Sequence, residues 1–229
     1  MQIIQKALST GRYVLSEYES KQLLAGFGIP VTREILVENA EDLISATRNI
    51  GYPLVLKGCS SEISHKTETD IIRLDIRTES EAVAAFHEIK AKLNGIPGGI
   101  LVQEMIKGQR ELMAGLTRDP QFGPCVMFGL GGIFTEILKD VSFRLAPLKP
   151  RDADDMMREI KGHKILEAIR GMEAADTDML VKILMKLGDI GIENEPIKEI
   201  DINPLILRGG KPVAVDALVV LSQSESPGN

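Results

Sequence analysis

The sequence predicts a mixed fold, α+β in the α/β manner, from three observations. An order of helix, strand, helix, strand, loop, strand, helix, strand fills roughly the first 100 residues, the pattern of one α/β or α+β module. A natural hinge follows at Lys107-Gly108. Beyond it a second module opens on strands, passes through two amphipathic helices and closes on a hairpin at 197–220. The 229 residues suit one large domain or two small ones and can bury a real core.

Each element has a local reason. Ser16–Gly28 reads as a helix: Ser16 caps it, Leu23, Leu24 and Phe27 share a face, and Gly28-Ile29-Pro30 stops it. Arg33–Val37 is a short strand, and Asn39–Ile50 a helix ending at Gly51. Leu54–Lys57 is a buried strand between Pro53 and Gly58, followed by a polar loop, Cys59–Asp70. Ile71–Arg77 is a strand, Ser80–Leu93 a helix and Gly99–Met105 a strand. After the hinge, Glu111–Thr117 and Cys125–Gly129 are strands, and Ile133–Leu138 and Ser142–Leu145 continue that pattern. Asp152–Lys161 and Asp178–Asp189 are helices whose methionines fall at core spacing. In the closing hairpin Ile200, Ile202 and Leu205–Leu207 are strand-like, Gly209-Gly210 turns, and Val213–Val220 returns. The tail Ser222–Asn229 is rich in Ser, Gly and Pro and is expected to fray.

Composition removes several function classes. Hydrophobic residues make up 44% and charged residues 26%, an ordinary globular balance. A net charge of −6 disfavours general nucleic-acid binding, which rests on neutralising phosphates. Cys59 and Cys125 are the two cysteines, both in apolar runs; they read as reduced core residues of a cytoplasmic protein. A structural zinc site would need more Cys or His. Met1–Leu8 lacks the basic segment and apolar run of a signal peptide, and no apolar stretch reaches membrane-spanning length.

The hairpin carries the strongest chemical signal. Strand alternation sets Asp201 and Asn203 on one face, and Asp216 returns on the neighbouring strand. Hard oxygen donors converging from apolar strands are costly to bury unless they hold a cation, and Mg²⁺ takes one or two protein oxygens together with phosphate oxygens. The competing reading is a polar hairpin that merely ends a sheet. Lys57 ends a buried strand just before the small residues Gly58, Ser60 and Ser61, as a phosphate-facing turn would; the alternative is a lysine that snorkels to solvent. His65 lies in a polar loop, as a surface residue or as a nucleophile or general base. Gln103-Glu104-Met105-Ile106 ends a strand at the hinge, where backbone groups can meet an adenine edge, and the Glu111 carboxylate can hold ribose hydroxyls. The cluster Gly129-Leu130-Gly131-Gly132 permits close backbone approach or a tight turn, and matches neither the Walker nor the dinucleotide pattern. Arg144 either pairs with Asp140 or forks onto a phosphate.

Longer runs resemble a known family. Glu17-Tyr18-Glu19-Ser20-Lys21-Gln22-Leu23-Leu24 with Gly28-Ile29-Pro30-Val31 looks like the opening of succinyl-CoA synthetase β-type ATP-grasp chains. Three further runs, Asp119-Pro120-Gln121-Phe122-Gly123-Pro124, Val126–Phe134 and Glu136–Arg144, closely resemble the β subunits of ADP-forming acetyl-CoA synthetases, also called acetate–CoA ligases. The resemblance runs from about residue 12 to 221. It implies an ATP-grasp fold whose two lobes clamp a nucleotide: residues 1–18 pack on the second lobe, 19–106 form the small lobe, 107–221 the C-terminal lobe, and 222–229 a disordered tail. It implies that acyl-CoA, ADP and phosphate interconvert with a carboxylic acid, CoA and ATP. A separate CoA-binding α subunit, in an α2β2 assembly, would carry the first phosphohistidine, and this chain would bind ADP or ATP and Mg²⁺. By the same resemblance Lys57 contacts phosphate, Gln103, Glu104, Met105 and Ile106 face adenine, Glu111 holds ribose, Asn203 and Asp216 ligate the metal, and His65 passes the phosphoryl group to ADP. Arg144 is a further catalytic candidate.

The loop after His65 departs from that family. His65-Lys66-Thr67-Glu68-Thr69 leads into Asp70-Ile71, where two glycines are usual. Asp70 adds negative charge near phosphate, and Ile71 is expected to block close backbone approach. Two other readings stay open on that ground: a nucleotide-binding regulatory subunit without turnover, and an ATP-grasp carboxylate ligase that uses no phosphohistidine.

Overall fold

The computed structural model describes residues 2–62, 71–132, 140–169 and 171–222. The strand expected at Ile133–Leu138 and the tail after Ser222 fall outside them. The chain separates into two compact units. One comprises Ser16–Tyr18 and Thr32–Ile106; the other comprises Met1–Leu15, Glu19–Val31 and Lys107–Asn229. Residues 19–31, assigned above to the small lobe, therefore cluster with the segment that begins at Lys107.

The smaller unit is a four-stranded sheet under two helices. Its strands are β1 (Glu34–Val37), β2 (Leu54–Cys59), β3 (Ile72–Ile76) and β4 (Gly99–Glu104), in the order β1-β4-β2-β3. All three pairings are antiparallel. Helix α3 (Ala40–Ile50) starts where the Asn39 side chain accepts the Asp42 N–H, and the acidic Glu41 and Asp42 suit its positive end. Helix α4 (Glu79–Leu93) starts in the same way on Thr78 and stops at Asn94 in the left-handed region. Leu43, Ala46 and Ile50 of α3 and Phe86, Ile89 and Leu93 of α4 lie at helical spacing and bury against Leu54, Leu56, Ile100 and Val102.

The larger unit holds a six-stranded antiparallel sheet. Its strands are β5 (Glu111–Asp119), β6 (Gly123–Leu130), β7 (Val141–Leu145), β8 (Ile197–Arg208), β9 (Lys211–Ala214) and β10 (Leu218–Leu221). The order is β10-β8-β5-β6-β7, with β9 also on β8. Helix α6 (Thr177–Glu193), capped by the Asp176 side chain, lays Leu180, Ile183, Leu184 and Leu187 over β5 and β6; α5 (Pro150–Glu159) packs beside it. Helix α1 (Gln2–Ser9), which the sequence did not suggest, buries only Ile4 and Ala7. Helix α2 (Glu17–Gly26) buries Ser20, Lys21, Leu23 and Leu24.

The C-terminal hairpin differs from its expectation. The returning strand is two strands, β9 and β10, and both pair with β8. Val215, Asp216 and Ala217 lie between them, outside the ladder. The cause lies in β8. Against β5, Leu205 pairs with Leu112 and Ile202 with Ala114, so Asn203 and Pro204 together oppose the one residue Met113. This is a β-bulge, and Pro204 has no N–H to give to a ladder. The alternation resets there: Ile200 and Ile202 face the core before the bulge, Leu205 and Leu207 after it.

Candidate functional site

In the larger unit the bulge and the break lie at the same level. Leu205 pairs with Ala214 on one side of the break and Asp201 with Leu218 on the other, in one continuous register. That register sets Asn203 opposite Asp216. Both are half-buried. Val215 donates its N–H to Pro204 O at 3.0 Å, which holds the unpaired stretch against the bulge. The Asn203 Oδ1 accepts the Gly132 N–H at 3.2 Å. Gly132 takes a φ of +60°, and a Cβ there would collide with the Glu111 carboxylate. Gly131 donates to Glu111 O at 2.9 Å. The glycine cluster is thus a turn laid over the start of β5, and it brings Gly132, Asn203 and Glu111 into one neighbourhood.

These donors suit Mg²⁺. They are one amide and one carboxylate oxygen, and Mg²⁺ usually takes one or two protein groups and completes its shell with water and phosphate. Among the described residues no group of three or more His, Cys, Asp or Glu could hold a metal alone.

Arg144 and Asp140 do not form the pair weighed for them. Asp140 accepts the Lys161 N–H at 2.8 Å and the Gly162 N–H at 2.7 Å. Arg144 pairs with Glu159 on α5. This hydrogen bond, more than any other influence, holds the Arg144 guanidinium above and the Glu159 carboxyl below their ordinary pKa values. Cys59 is buried, Cys125 half-buried, and neither forms a disulfide; burial first, and the Asp119 charge next, push the Cys125 thiol up.

In the smaller unit, Lys57 is 6% exposed at the centre of the sheet, and its Nζ donates to Glu17 Oε1 at 2.7 Å. It is a paired, buried cation rather than a snorkelling one. Sequence reading missed Glu17 as its partner. Gln103 is 1% exposed inside β4. Glu104 closes the strand: its carboxylate accepts from the Arg33 backbone N–H at 2.9 Å and from the Arg33 guanidinium at 3.3 Å. Met105 donates its N–H to Pro53 O at 3.2 Å, and Ile106 is buried at the end of the unit. Ile71 is 6% exposed in the core, and Gly58 gives it room, since a Cβ there would stand 2.8 Å from Ile71 Cδ1. His65 and Asp70 lie outside the described residues.

A second residue missed by sequence reading is Lys21, which is 0% exposed and donates to Val215 O at 3.1 Å. The signal was present: Lys21 lies on the same helical face as Leu24, where a charge is unexpected.

Comparison with known proteins gives the family. The ATP-grasp domain family matches residues 6–221. The β subunit of acetate–CoA ligase (ADP-forming) I from Pyrococcus furiosus is 41% identical over 225 residues, which cover 96% of this chain and 97% of that one. A solved chain of the dinucleotide-forming acetyl-coenzyme A synthetase 1 of Ca. Korarchaeum cryptofilum, with coenzyme A, Ca-AMPCP and HgCl+, superposes with a TM-score of 0.91 at 41% identity; the match covers 96% of this chain and 99% of that chain. The same enzyme with coenzyme A and Mg-AMPPCP, its phosphohistidine segment pointing towards the nucleotide binding site, gives 0.85 at 41% identity over the same shares. The fold is thus ATP-grasp, the class of mixed α/β proteins that bind a nucleotide. The chain belongs to the ATP-grasp family, within the β subunits of ADP-forming acid–CoA ligases. Among the described residues no helix is long and apolar enough to cross a membrane.

Proposed function

We propose that this chain binds ADP or ATP with Mg²⁺ and relays a phosphoryl group through His65, so that acyl-CoA, ADP and phosphate give a carboxylic acid, CoA and ATP. The observation that carries the metal and nucleotide reading is Asn203 opposite Asp216 at the bulge, beside Gly132 and Glu111. Glu111 would take ribose hydroxyls, the backbone of Gln103–Ile106 the adenine edge, and Lys57 a phosphate oxygen, exchanging part of its contact with Glu17 for it. Bound at Asn203 and Asp216, Mg²⁺ would offset the mutual repulsion of the nucleotide phosphates.

The relay is written in two displacements. A nitrogen of neutral His65 attacks the phosphorus of a phosphohistidine on the partner α subunit; one N–P bond forms and the other breaks. A terminal β-phosphate oxygen of ADP then attacks that phosphorus, an O–P bond forms, and His65 returns to neutral imidazole. Little covalent work falls to the protein, so positioning and fixed charge carry the rate. The partner would bind CoA and the acid, in an α2β2 assembly. Two cysteines outside any disulfide suit the cytoplasm.

The test is labelling with γ-labelled Mg-ATP. Acid-labile phosphate should appear on the chain, and His65→Ala should abolish it. Full labelling of His65→Ala would refute the relay through His65, and normal turnover of that variant would favour a ligase that activates its acid directly. Nucleotide affinity without labelling, with or without an α subunit, would favour a regulatory subunit.

A further inference from the structure

The break that presents Asp216 is held from one side by β8 and from the other by helix α2. The chain on either side of α2 is stitched to the same strip. Leu221 donates to Tyr13 O at 2.7 Å, Leu15 donates to Val219 O at 3.0 Å, and Val14 bridges Val220. After the helix, Ala214 donates to Pro30 O at 2.9 Å, and Val31 bridges Ala214. The helix therefore spans the gap between β9 and β10. Two of its residues reach into that strip: Ser20 Oγ accepts the Val219 N–H, and Lys21 Nζ donates to Val215 O, each at 3.1 Å.

The Lys21 contact has a particular consequence. The Val215 carbonyl belongs to the peptide bond that carries the Asp216 nitrogen. The Val215 N–H is held by Pro204. With Lys21 on the carbonyl, Val215 is fixed at both of its polar groups, and the next Cα is placed with it. A fully buried ammonium is expensive, and a leucine or methionine at this helix position would pack without that cost.

We propose that Lys21 is a positioning residue for the metal site: its buried ammonium clamps the Val215–Asp216 peptide so that the Asp216 carboxylate faces Asn203. This rests on the reading of Asn203 and Asp216 as the Mg²⁺ ligands.

The test measures ADP affinity by calorimetry with Mg²⁺ and with EDTA, so the quantity read is the tightening that Mg²⁺ adds. Lys21→Met should lose at least fivefold of that tightening while its ADP affinity in EDTA changes less than twofold. Ser20→Ala, which loosens the same helix one residue away, should lower Tm and leave the tightening as in the unmodified chain. Asp216→Asn should lose most of the tightening. If Asp216→Asn keeps it in full, the metal reading fails and this proposal with it. If Asp216→Asn loses it while folded Lys21→Met keeps it, or if Ser20→Ala loses as much as Lys21→Met, the role given to Lys21 is overturned. Should Lys21→Met not fold, Lys21→Arg decides. A forked guanidinium cannot occupy the place of the single ammonium, so about threefold of the tightening should go, and an unchanged value would overturn the proposal.

Discussion

The two sheets present their polar groups by opposite means. In the smaller one, β2 and β4 pair from Leu54–Glu104 to Cys59–Gly99 without a shift, and Lys57 and Gln103 come out of that regular ladder. In the larger one, Asn203 and Asp216 sit where the ladder is interrupted. Irregular backbone leaves carbonyls that need donors, and buried or half-buried cations collect them. Arg110 takes the carbonyls of Ile165, Glu167 and Glu173. Arg118 takes those of Gly191, Asn194 and Ile197, and Lys21 takes that of Val215. A regular pair of strands such as β2 and β4 can offer a charge by alternation and pair it with one side chain, whereas the interrupted stretch beside β8 is clamped through its backbone.

This contrast can be broken at several points. The largest effect is expected in the regular sheet. Glu17→Ala removes the carboxylate that Lys57 Nζ meets at 2.7 Å, beside a side chain only 7% exposed, and leaves a buried charge to be accommodated. Unfolding in urea should show a loss of about 3 kcal/mol; a loss under about 0.5 kcal/mol would mean that Lys57 does not depend on Glu17. Next comes the clamp. Arg110→Met strands three carbonyls and should cost about 2 kcal/mol in the same measurement, and a neutral result would remove clamping from the comparison. Gly132→Ala forces a left-handed φ on an L-residue and pushes on Glu111, so stability should fall by about 1–2 kcal/mol. Its ADP affinity should fall by about tenfold, the equivalent of about 1.4 kcal/mol. Unchanged affinity would remove Glu111 from the nucleotide site.

The smallest effect concerns Arg144 and Glu159. The Glu159 carboxyl is held below its ordinary value, so the contribution of the pair is present above the unfolded pKa and disappears as pH falls through the folded one. Glu159→Gln should therefore flatten the acid side of a Tm-against-pH profile slightly and leave neutral pH almost unchanged. An unaltered acid side would show that the pair contributes nothing.

Legibility in the sequence followed the same division. The strands and helices of the smaller unit were readable because capping residues, helical spacing and alternation are local signals, as at Asn39, Thr78 and Leu54–Lys57. Asp201, Asn203 and Asp216 were legible as oxygens converging from neighbouring strands, and the family resemblance selected Asn203 and Asp216, but the bulge was not foreseen. A bulge is a difference in count between two strands, and Met113 lies far from Pro204 in sequence. Val213–Val220 therefore read as one strand although its ladder breaks at Asp216. Helix α1 was missed because its buried face amounts to Ile4 and Ala7. The partners of Lys57 and Lys21 were hidden for a plainer reason: Glu17 and Val215 meet them only through the fold.

The most direct test of the central claim, that an interrupted ladder presents two facing oxygens to a metal, is a crystal structure of the chain with Mn²⁺ and ADP in which anomalous scattering locates the ion. A peak is expected within about 2.0–2.3 Å of both Asn203 Oδ1 and an Asp216 carboxylate oxygen, shared with the ADP phosphates. Bound ADP with its ion elsewhere, and Asp216 turned away from Asn203, would contradict it.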